Sequence, residues 1–129
     1  MKIVLINIMF YFILITSCVN NKVISLSESN IWKSDTIACL GERRTIYCQI
    51  LKQSTNFFGK TEKEIIQDLG KPNILKYTLD SCKKYYYFVE KGVQCLYSQK
   101  SKYNSMDVEV LYILFNKKNK VIDIRGMKP

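Results

Sequence analysis

The residue types that carry most enzyme chemistry are unevenly represented in this chain of 129 residues, which has five cysteines and no histidine. Without an imidazole, the chain cannot form a Ser-His-Asp or Cys-His nucleophile or a histidine-ligated zinc site. No two cysteines are spaced as C-x-x-C, so neither a thioredoxin-like redox site nor a zinc knuckle is favoured. Three acidic residues, Glu62, Glu64 and Asp68, lie on the side of a predicted helix that we expect to face solvent, which disfavours a carboxylate-based hydrolase. We therefore predict a non-enzymatic protein with no cofactor and no metal.

The N-terminus has the pattern of an export signal. Lys2 is followed by a largely apolar run over residues 3–15. This run is shorter than the roughly 20 residues of a membrane-spanning helix and is typical of a signal peptide. Residues 15–18, I-T-S-C, resemble the lipobox of bacterial lipoproteins. The resemblance implies that the Cys18 thiol receives a diacylglycerol, that the signal is cut before Cys18, and that the new N-terminus is acylated, for example with palmitate. An ordinary secretory signal is the alternative.

The residues after Cys18 predict the location and the domain boundaries. Val19 is not the aspartate associated with retention in the inner membrane, and residues 19–22 contain no acidic cluster for surface export. We therefore expect a lipid-anchored protein of the outer membrane that faces the periplasm. The chain divides into a signal peptide (1–17), a polar lipidated tether without periodicity (18–31) and a single domain (32–129).

The other four cysteines predict disulfides rather than a redox site. An even number of cysteines in an exported domain is typical of structural disulfides, which stabilise small folds. Two disulfides are expected, with three pairings that the sequence leaves open, and free buried thiols are the alternative. The candidates are Cys39, Cys48, Cys82 and Cys95.

A first helix is predicted within residues 35–53, the segment that contains Cys39 and Cys48. Apolar residues between positions 46 and 51 follow helical spacing. Gly41 disfavours a helix that extends further toward the N-terminus, so we expect the helix to begin near residue 42 or 43.

The signals for a second helix are more complete. Thr61 is a suitable N-cap, and Glu64 three residues later completes a capping box. Leu69 lies on the expected buried face. Gly70 suits the position after the last helical residue, and Pro72 prevents continuation.

After the second helix the pattern changes from helical spacing to alternation. Helices first and antiparallel strands afterwards indicate an α+β fold, with two N-terminal helices packed on a small antiparallel sheet of three to five strands. Strands are predicted over 75–79, 85–89, 93–97, 108–115 and 121–124, with a loop over 98–106 and a polar turn over 116–120.

The second helix also carries a resemblance to a known family. Its G-x-T-x-x-x-I-x-x-x-L-G-x-P pattern, in which Gly59 precedes Thr61, resembles the BamE (SmpA/OmlA) lipoproteins. The aromatic run 85–88 and the segment 111–124 resemble that family's first aromatic strand and final hairpin. The resemblance implies a small accessory subunit of the machinery that inserts β-barrels into the outer membrane.

Other functions remain open on the same fold. A helix-helix-sheet arrangement also occurs in modules similar to β-lactamase inhibitors, so a periplasmic inhibitor or immunity-type protein that binds a hydrolase or a toxin is the alternative. A thiol-disulfide enzyme is a third, less favoured reading.

The chain has a net charge of +9, and most of the excess lies in its second half. Two interpretations of the lysines in the second half are possible. They form a solvated rim that protects strand edges, or they form a face that binds anionic lipid head groups or an acidic partner. No nucleic-acid-binding motif accompanies the charge. The candidate basic face consists of Lys83, Lys84, Lys117, Lys118 and Lys120.

A cluster of aromatic residues lies in the strand predicted over 85–89. Alternation places Tyr85, Tyr87 and Val89 on one face and Tyr86 and Phe88 on the other. One face is expected to pack on the helices, and the other, if uncovered, would be an aromatic protein-binding patch.

Overall fold

The structure is a computed structural model that describes residues 22–96 and 108–128. Within these ranges the chain forms three α-helices and then four strands of one antiparallel sheet, which confirms the predicted α+β class with one additional helix. The signal peptide, Cys18 and the predicted loop 98–106 lie outside the described residues. The elements are α1 (Leu26–Ser34), α2 (Arg43–Lys52), α3 (Glu62–Leu69), β1 (Ile74–Tyr77), β2 (Lys83–Phe88), β3 (Val110–Phe115) and β4 (Val121–Met127), with 3-10 turns at Ser54–Phe57 and Val93–Cys95.

Each strand of the sheet pairs with the next strand along the chain, in the order β1-β2-β3-β4. Tyr85 is paired with Ile113, which is paired with Ile124, and these side chains share the face that packs against the helices. Because side chains alternate along β2, Tyr86 and Phe88 lie on the opposite face, as predicted. The core on the helical side also contains Trp32, Ile46, Ile50, Ile65, Leu69, Tyr87, Leu111 and Phe115.

The second face of the sheet is also buried. Tyr86 and Phe88 pack in a smaller cluster with Ala38, Val108 and Val110. The rings of β2 therefore belong to two cores, and the aromatic patch expected for an uncovered sheet face does not form.

The strand predicted over 93–97 is wrong for its described part, where Val93–Cys95 forms a 3-10 turn. Both edges of β2 are already occupied, by β1 and β3. The segment that follows β2 therefore cannot pair with β2 as an additional strand.

The tether predicted over residues 18–31 is wrong for its described part, because helix α1 begins at Leu26. Ser25 caps this helix, and the carboxylate of Glu28 accepts a hydrogen bond from the Ser25 backbone N–H at 2.7 Å, which completes a capping box. Val23 and Ile24 are buried in the core before the helix begins. The folded domain therefore starts about ten residues earlier than the predicted boundary at residue 32.

Helix α3 forms as predicted, with the Thr61–Glu64 capping box at its N-terminus and Gly70 at positive φ after its last residue. The carbonyl groups at its C-terminus are satisfied by other elements. Ser29 Oγ donates to the Asp68 carbonyl at 2.6 Å, and the Tyr87 hydroxyl donates to the Gly70 carbonyl at 2.9 Å. These bonds fix α3 to both α1 and the sheet.

The buried guanidinium of Arg43, the first residue of α2, joins the helices to the sheet. Its Nε donates to the Trp32 carbonyl at 3.0 Å, and its Nη1 donates to the Phe88 carbonyl at 3.0 Å and to Asn73 Oδ1 at 3.1 Å. The guanidinium also lies 4.6 Å from the centre of the Trp32 ring. Burial lowers the pKa of Arg43 to about 10, against the opposing effect of Asp35, so the group stays charged at neutral pH.

Replacement of Arg43 is expected to destabilise the fold far more than replacement of its exposed neighbour. Arg43→Met leaves buried acceptors without a donor, and we expect it to lower the free energy of unfolding by about 3 kcal/mol. Arg44→Met removes an exposed cation and should lower it by at most about 1 kcal/mol. Urea unfolding of both variants measures the difference, and similar losses would contradict a central role for Arg43.

A second polar cluster holds α2 against the start of β3. The Tyr47 hydroxyl donates to Glu109 Oε1 at 2.7 Å, and the Arg44 guanidinium donates to the other carboxylate oxygen. The Glu109 backbone N–H donates in turn to Glu90 Oε1 at 2.8 Å. Gly126 makes this arrangement possible, because a Cβ atom at that position would collide with the Tyr47 hydroxyl.

This cluster predicts a loss of stability in acid. The hydrogen bond from Arg44, and then that from Tyr47, hold the pKa of Glu109 below its ordinary value of 4.5. A carboxylate whose pKa is lowered on folding stabilises the fold above its ordinary pKa, and this contribution is lost as the pH falls through the lowered value. We expect the difference in free energy of unfolding between the unmodified protein and Glu109→Gln to shrink as the pH falls from neutral to well below 4.5. Urea unfolding across this range measures it.

The control for this pH dependence is Asp80→Asn, a change at an exposed carboxylate between β1 and β2. If the free energy of unfolding of Glu109→Gln differs from that of the unmodified protein by the same amount at every pH, the ionised Glu109 carboxylate does not stabilise the fold.

Candidate functional site: a disulfide-linked apolar patch

The loop that follows α1 is held in one conformation by a buried carboxylate. Asp35 accepts hydrogen bonds from the backbone N–H groups of Leu40 at 3.0 Å and Glu42 at 3.1 Å. Within this loop Ala38 and Gly41 have positive φ angles, and the Ala38 side chain is fully buried. A positive φ angle is unfavourable for a residue other than glycine, so the contacts around Ala38 must hold the turn in this conformation.

A disulfide joins this loop to the 3-10 turn after β2. Cys39 and Cys95 are bonded with a Cα–Cα distance of 5.6 Å, across 56 positions of sequence. Beside the disulfide, Gln94 Nε2 donates to the Ile37 carbonyl at 3.3 Å. Gly92 packs so closely on Val108 that a Cβ atom would have no room. Two loops from different parts of the chain thus form one rigid surface.

Four large aliphatic side chains are exposed on this surface. Ile37 and Leu40 flank Cys39 with 40% and 66% of their surface exposed, and Val93 and Leu96 flank Cys95 with 43% and 77% exposed. We call this group, with the disulfide between its members, the disulfide patch. Clustered exposed aliphatic residues on an ordered surface are typical of protein-binding sites. Lys91 lies beside the patch, with its Cε 3.8 Å from the position that a Cβ on Gly41 would occupy.

The prediction of two disulfides is wrong, because Cys48 and Cys82 are free. Cys82 lies between β1 and β2, at the end of the sheet where β3 finishes. Cys48 belongs to α2, whose polar cluster with Glu109 lies at the opposite end of β3. The two Cα atoms of a disulfide lie within about 7 Å of each other. Because Cys48 and Cys82 lie near opposite ends of β3, they are too far apart to form one.

The five lysines of the predicted basic face do not share a face. Lys83 and Lys84 are consecutive in β2 and therefore point to opposite sides of the sheet. Lys83 forms an ion pair with Glu62 at 2.6 Å. Lys117, Lys118 and Lys120 are exposed in the connection between β3 and β4. The five residues lie at one end of the sheet. Lys83 is already paired with Glu62, whereas Lys117, Lys118 and Lys120 are exposed to a partner.

Two of the acidic residues expected to face solvent are instead partly buried. Besides the ion pair with Lys83, Glu62 accepts a hydrogen bond from the Tyr85 hydroxyl. Asp68 lies 4.0 Å from the ammonium of Lys60. Burial raises the pKa of Asp68, and the positive charge of Lys60 opposes this shift. Glu64 is exposed, and its carboxylate serves the α3 capping box.

Other kinds of site are poorly supported in the described part of the chain. Residues 22–96 and 108–128 contain no cluster of side chains suited to a metal, and no helix among them is long and apolar enough to cross a membrane. A cavity of about 160 Å³ between α1 and α3 is smaller than the roughly 300 Å³ or more of typical ligand pockets.

No family model, curated protein or solved structure matches this chain.

The disulfide patch was missed in the sequence because its residues belong to no periodic element. Each half is short, and the two halves are far apart along the chain. The available signal was local, since aliphatic residues flank both Cys39 and Cys95 within two positions.

The cysteine assignment predicts the number of free thiols. In protein that lacks residues 1–18, denatured without reductant, thiol titration should detect two groups, Cys48 and Cys82, and four after reduction. A Cys48→Ser/Cys82→Ser variant is the control and should give none before reduction. Absence of free thiols in the parent protein would show that a second disulfide forms.

Proposed function

We propose that this protein is a lipid-anchored accessory protein of the bacterial envelope that binds another protein through the disulfide patch. The observation that carries the proposal is the exposure of Ile37, Leu40, Val93 and Leu96 on two loops that Cys39–Cys95 joins. Burial of these aliphatic side chains against a partner would favour binding by roughly 25 cal/mol per Å² of apolar surface removed from water.

The rigidity of the patch supports binding to a folded partner. The Asp35 hydrogen bonds, the disulfide and the close packing of Gly92 restrict the loops before any partner arrives. Little conformational entropy is then lost on association, which favours affinity. Lys91, beside the patch, could form an ion pair with an acidic residue at the edge of an apolar partner surface.

The proposed place of action is the periplasmic side of the outer membrane, with Cys18 as the acylated residue. The lipobox-like segment 15–18 supports this location. The capped helix α3, between Gly59 and Pro72, and the order of helices before an antiparallel sheet support a BamE-like domain. In this proposal the protein serves outer-membrane protein assembly or envelope integrity, with a component of the barrel-insertion machinery as its partner.

The proposal predicts that the patch and the anchor are needed together. Leu96→Glu places a charge in the patch and should abolish co-purification of barrel-insertion components from envelopes solubilised in mild detergent. Leu79→Glu, at a fully exposed residue between β1 and β2, is the matched control and should retain them. Cys18→Ala should lose both the lipid and the partner, and mass spectrometry of the N-terminal peptide reports the acylation.

Three outcomes would contradict the proposal. Recovery of a soluble hydrolase or toxin in place of membrane components would favour an inhibitor or immunity-type protein. Equal recovery with Leu96→Glu and Leu79→Glu would place the binding surface elsewhere. An unacylated Cys18 in purified protein would remove the anchor.

A further inference from the structure

Strand β1 is an edge of the sheet, because among the described residues it pairs only with β2. The backbone N–H and C=O groups of successive residues in an antiparallel strand point alternately to its two sides. The Thr78 N–H donates to the Cys82 carbonyl at 2.8 Å, which fixes this residue as one that points toward β2. The alternation then directs the backbone groups of Leu75 and Tyr77 away from β2. Both residues are exposed, so these groups are open to a further strand.

The opposite edge of the sheet is partly occupied by another segment of the chain. At the beginning of β4, the Gly59 N–H donates to the Val121 carbonyl at 2.9 Å, and the Val121 N–H donates to the Lys60 carbonyl at 2.9 Å. The segment before α3 therefore takes the place of a neighbouring strand there. Within residues 22–96 and 108–128, no backbone hydrogen bond of this kind covers β1.

The two sides of β1 carry different side chains. Leu75 and Tyr77 are 45% and 59% exposed, and they lie on the helical side of the sheet, because Leu75 is paired with Tyr85. On the other side, Lys76 is paired directly with Lys84. Like charges directly opposite each other in an antiparallel pair are destabilising, and neither lysine forms an ion pair with a described residue. An acidic group beside Lys76 would relieve this repulsion.

From this arrangement we infer that β1 binds an extended segment of a partner protein, which adds to the sheet as a further strand. The backbone of that segment forms hydrogen bonds with Leu75 and Tyr77. Its apolar side chains contact the same two residues, and an acidic side chain on the opposite side contacts Lys76. In this mode of recognition the main-chain hydrogen bonds provide affinity, and the alternating side chains provide specificity.

The charge on β1 also separates this occupant from a second copy of the chain. A second β1 would bring another lysine to the side that already carries Lys76 and Lys84, so self-association through this edge is disfavoured. An alternation of apolar and acidic residues, by contrast, complements both sides of the strand. The edge of β1 is a different surface from the disulfide patch, and the inference depends neither on that patch nor on the lipid anchor.

Peptide binding tests the inference on the full chain, purified in mild detergent and isotope-labelled for NMR. The probe is a synthetic peptide of alternating valine and glutamate residues, long enough to span β1. In one control peptide lysine replaces glutamate, and in the other alternate backbone amides are N-methylated, which removes their hydrogen-bond donors. Hydrogen exchange followed by NMR reports the protection of each backbone amide.

The valine–glutamate peptide should slow hydrogen exchange at the amides of Leu75 and Tyr77 by about tenfold and leave that of Lys76 unchanged, because Lys76 already points toward β2. The lysine peptide should bind about tenfold more weakly, because the attraction to Lys76 becomes repulsion. The N-methylated peptide should not bind. Lys76→Glu should reverse the preference between glutamate and lysine peptides, whereas the control Lys118→Glu, in the exposed β3–β4 connection, should leave it unchanged.

Absence of protection at Leu75 and Tyr77 with the valine–glutamate peptide would overturn the inference, as would equal binding of the N-methylated peptide. A preference that Lys76→Glu does not reverse would show that this lysine does not select the partner. Protection of the same amides without peptide, together with a dimer in sedimentation equilibrium, would assign the edge to a second copy. None of these measurements involves the disulfide patch or the acylation of Cys18, so the proposed function is tested separately.

Discussion

A guanidinium inside a small core must find acceptors for its N–H groups, and Arg43 finds them on three separate segments. It binds carbonyl oxygens at the end of α1 and at the end of β2, and the Asn73 side chain before β1. An uncompensated buried cation is very unfavourable, so the three segments can be placed only where these acceptors converge. The packing of Trp32 under the guanidinium adds a further restriction on α1. The arrangement of the helices on the sheet follows from this convergence.

The geometry of the disulfide patch depends on the same region. Asp35, whose charge acts on Arg43, also orders the loop that carries Ile37, Cys39 and Leu40. The end of β2 that Arg43 binds leads within a few residues to the turn that carries Cys95. The contacts of Asp35 and Arg43 therefore lie beside the two loops that the Cys39–Cys95 disulfide joins.

Helix α1 leads directly into the loop that carries one half of the disulfide patch. Its last residue, Ser34, is three positions before Ile37, the first residue of the patch. Val23 and Ile24 are buried in the core just before the helix begins, and Trp32 is buried near its end, so both ends of α1 are held against the core.

Features with local signals can be predicted from the residues in order: the α+β class, helix α3 with its Thr61–Glu64 cap, and the alternation that divides the tyrosines of β2 between two faces. Ser25 and Glu28 form a capping box for helix α1, but the short polar sequence of this helix has too little periodicity to predict it. The pairing of Cys39 with Cys95, the ion pair between Lys83 and Glu62, and the joining of the two loops that expose aliphatic residues are visible only in the folded structure. Capping and alternation depend on residues a few positions apart, whereas these other features depend on distances between segments that only the packed core brings together.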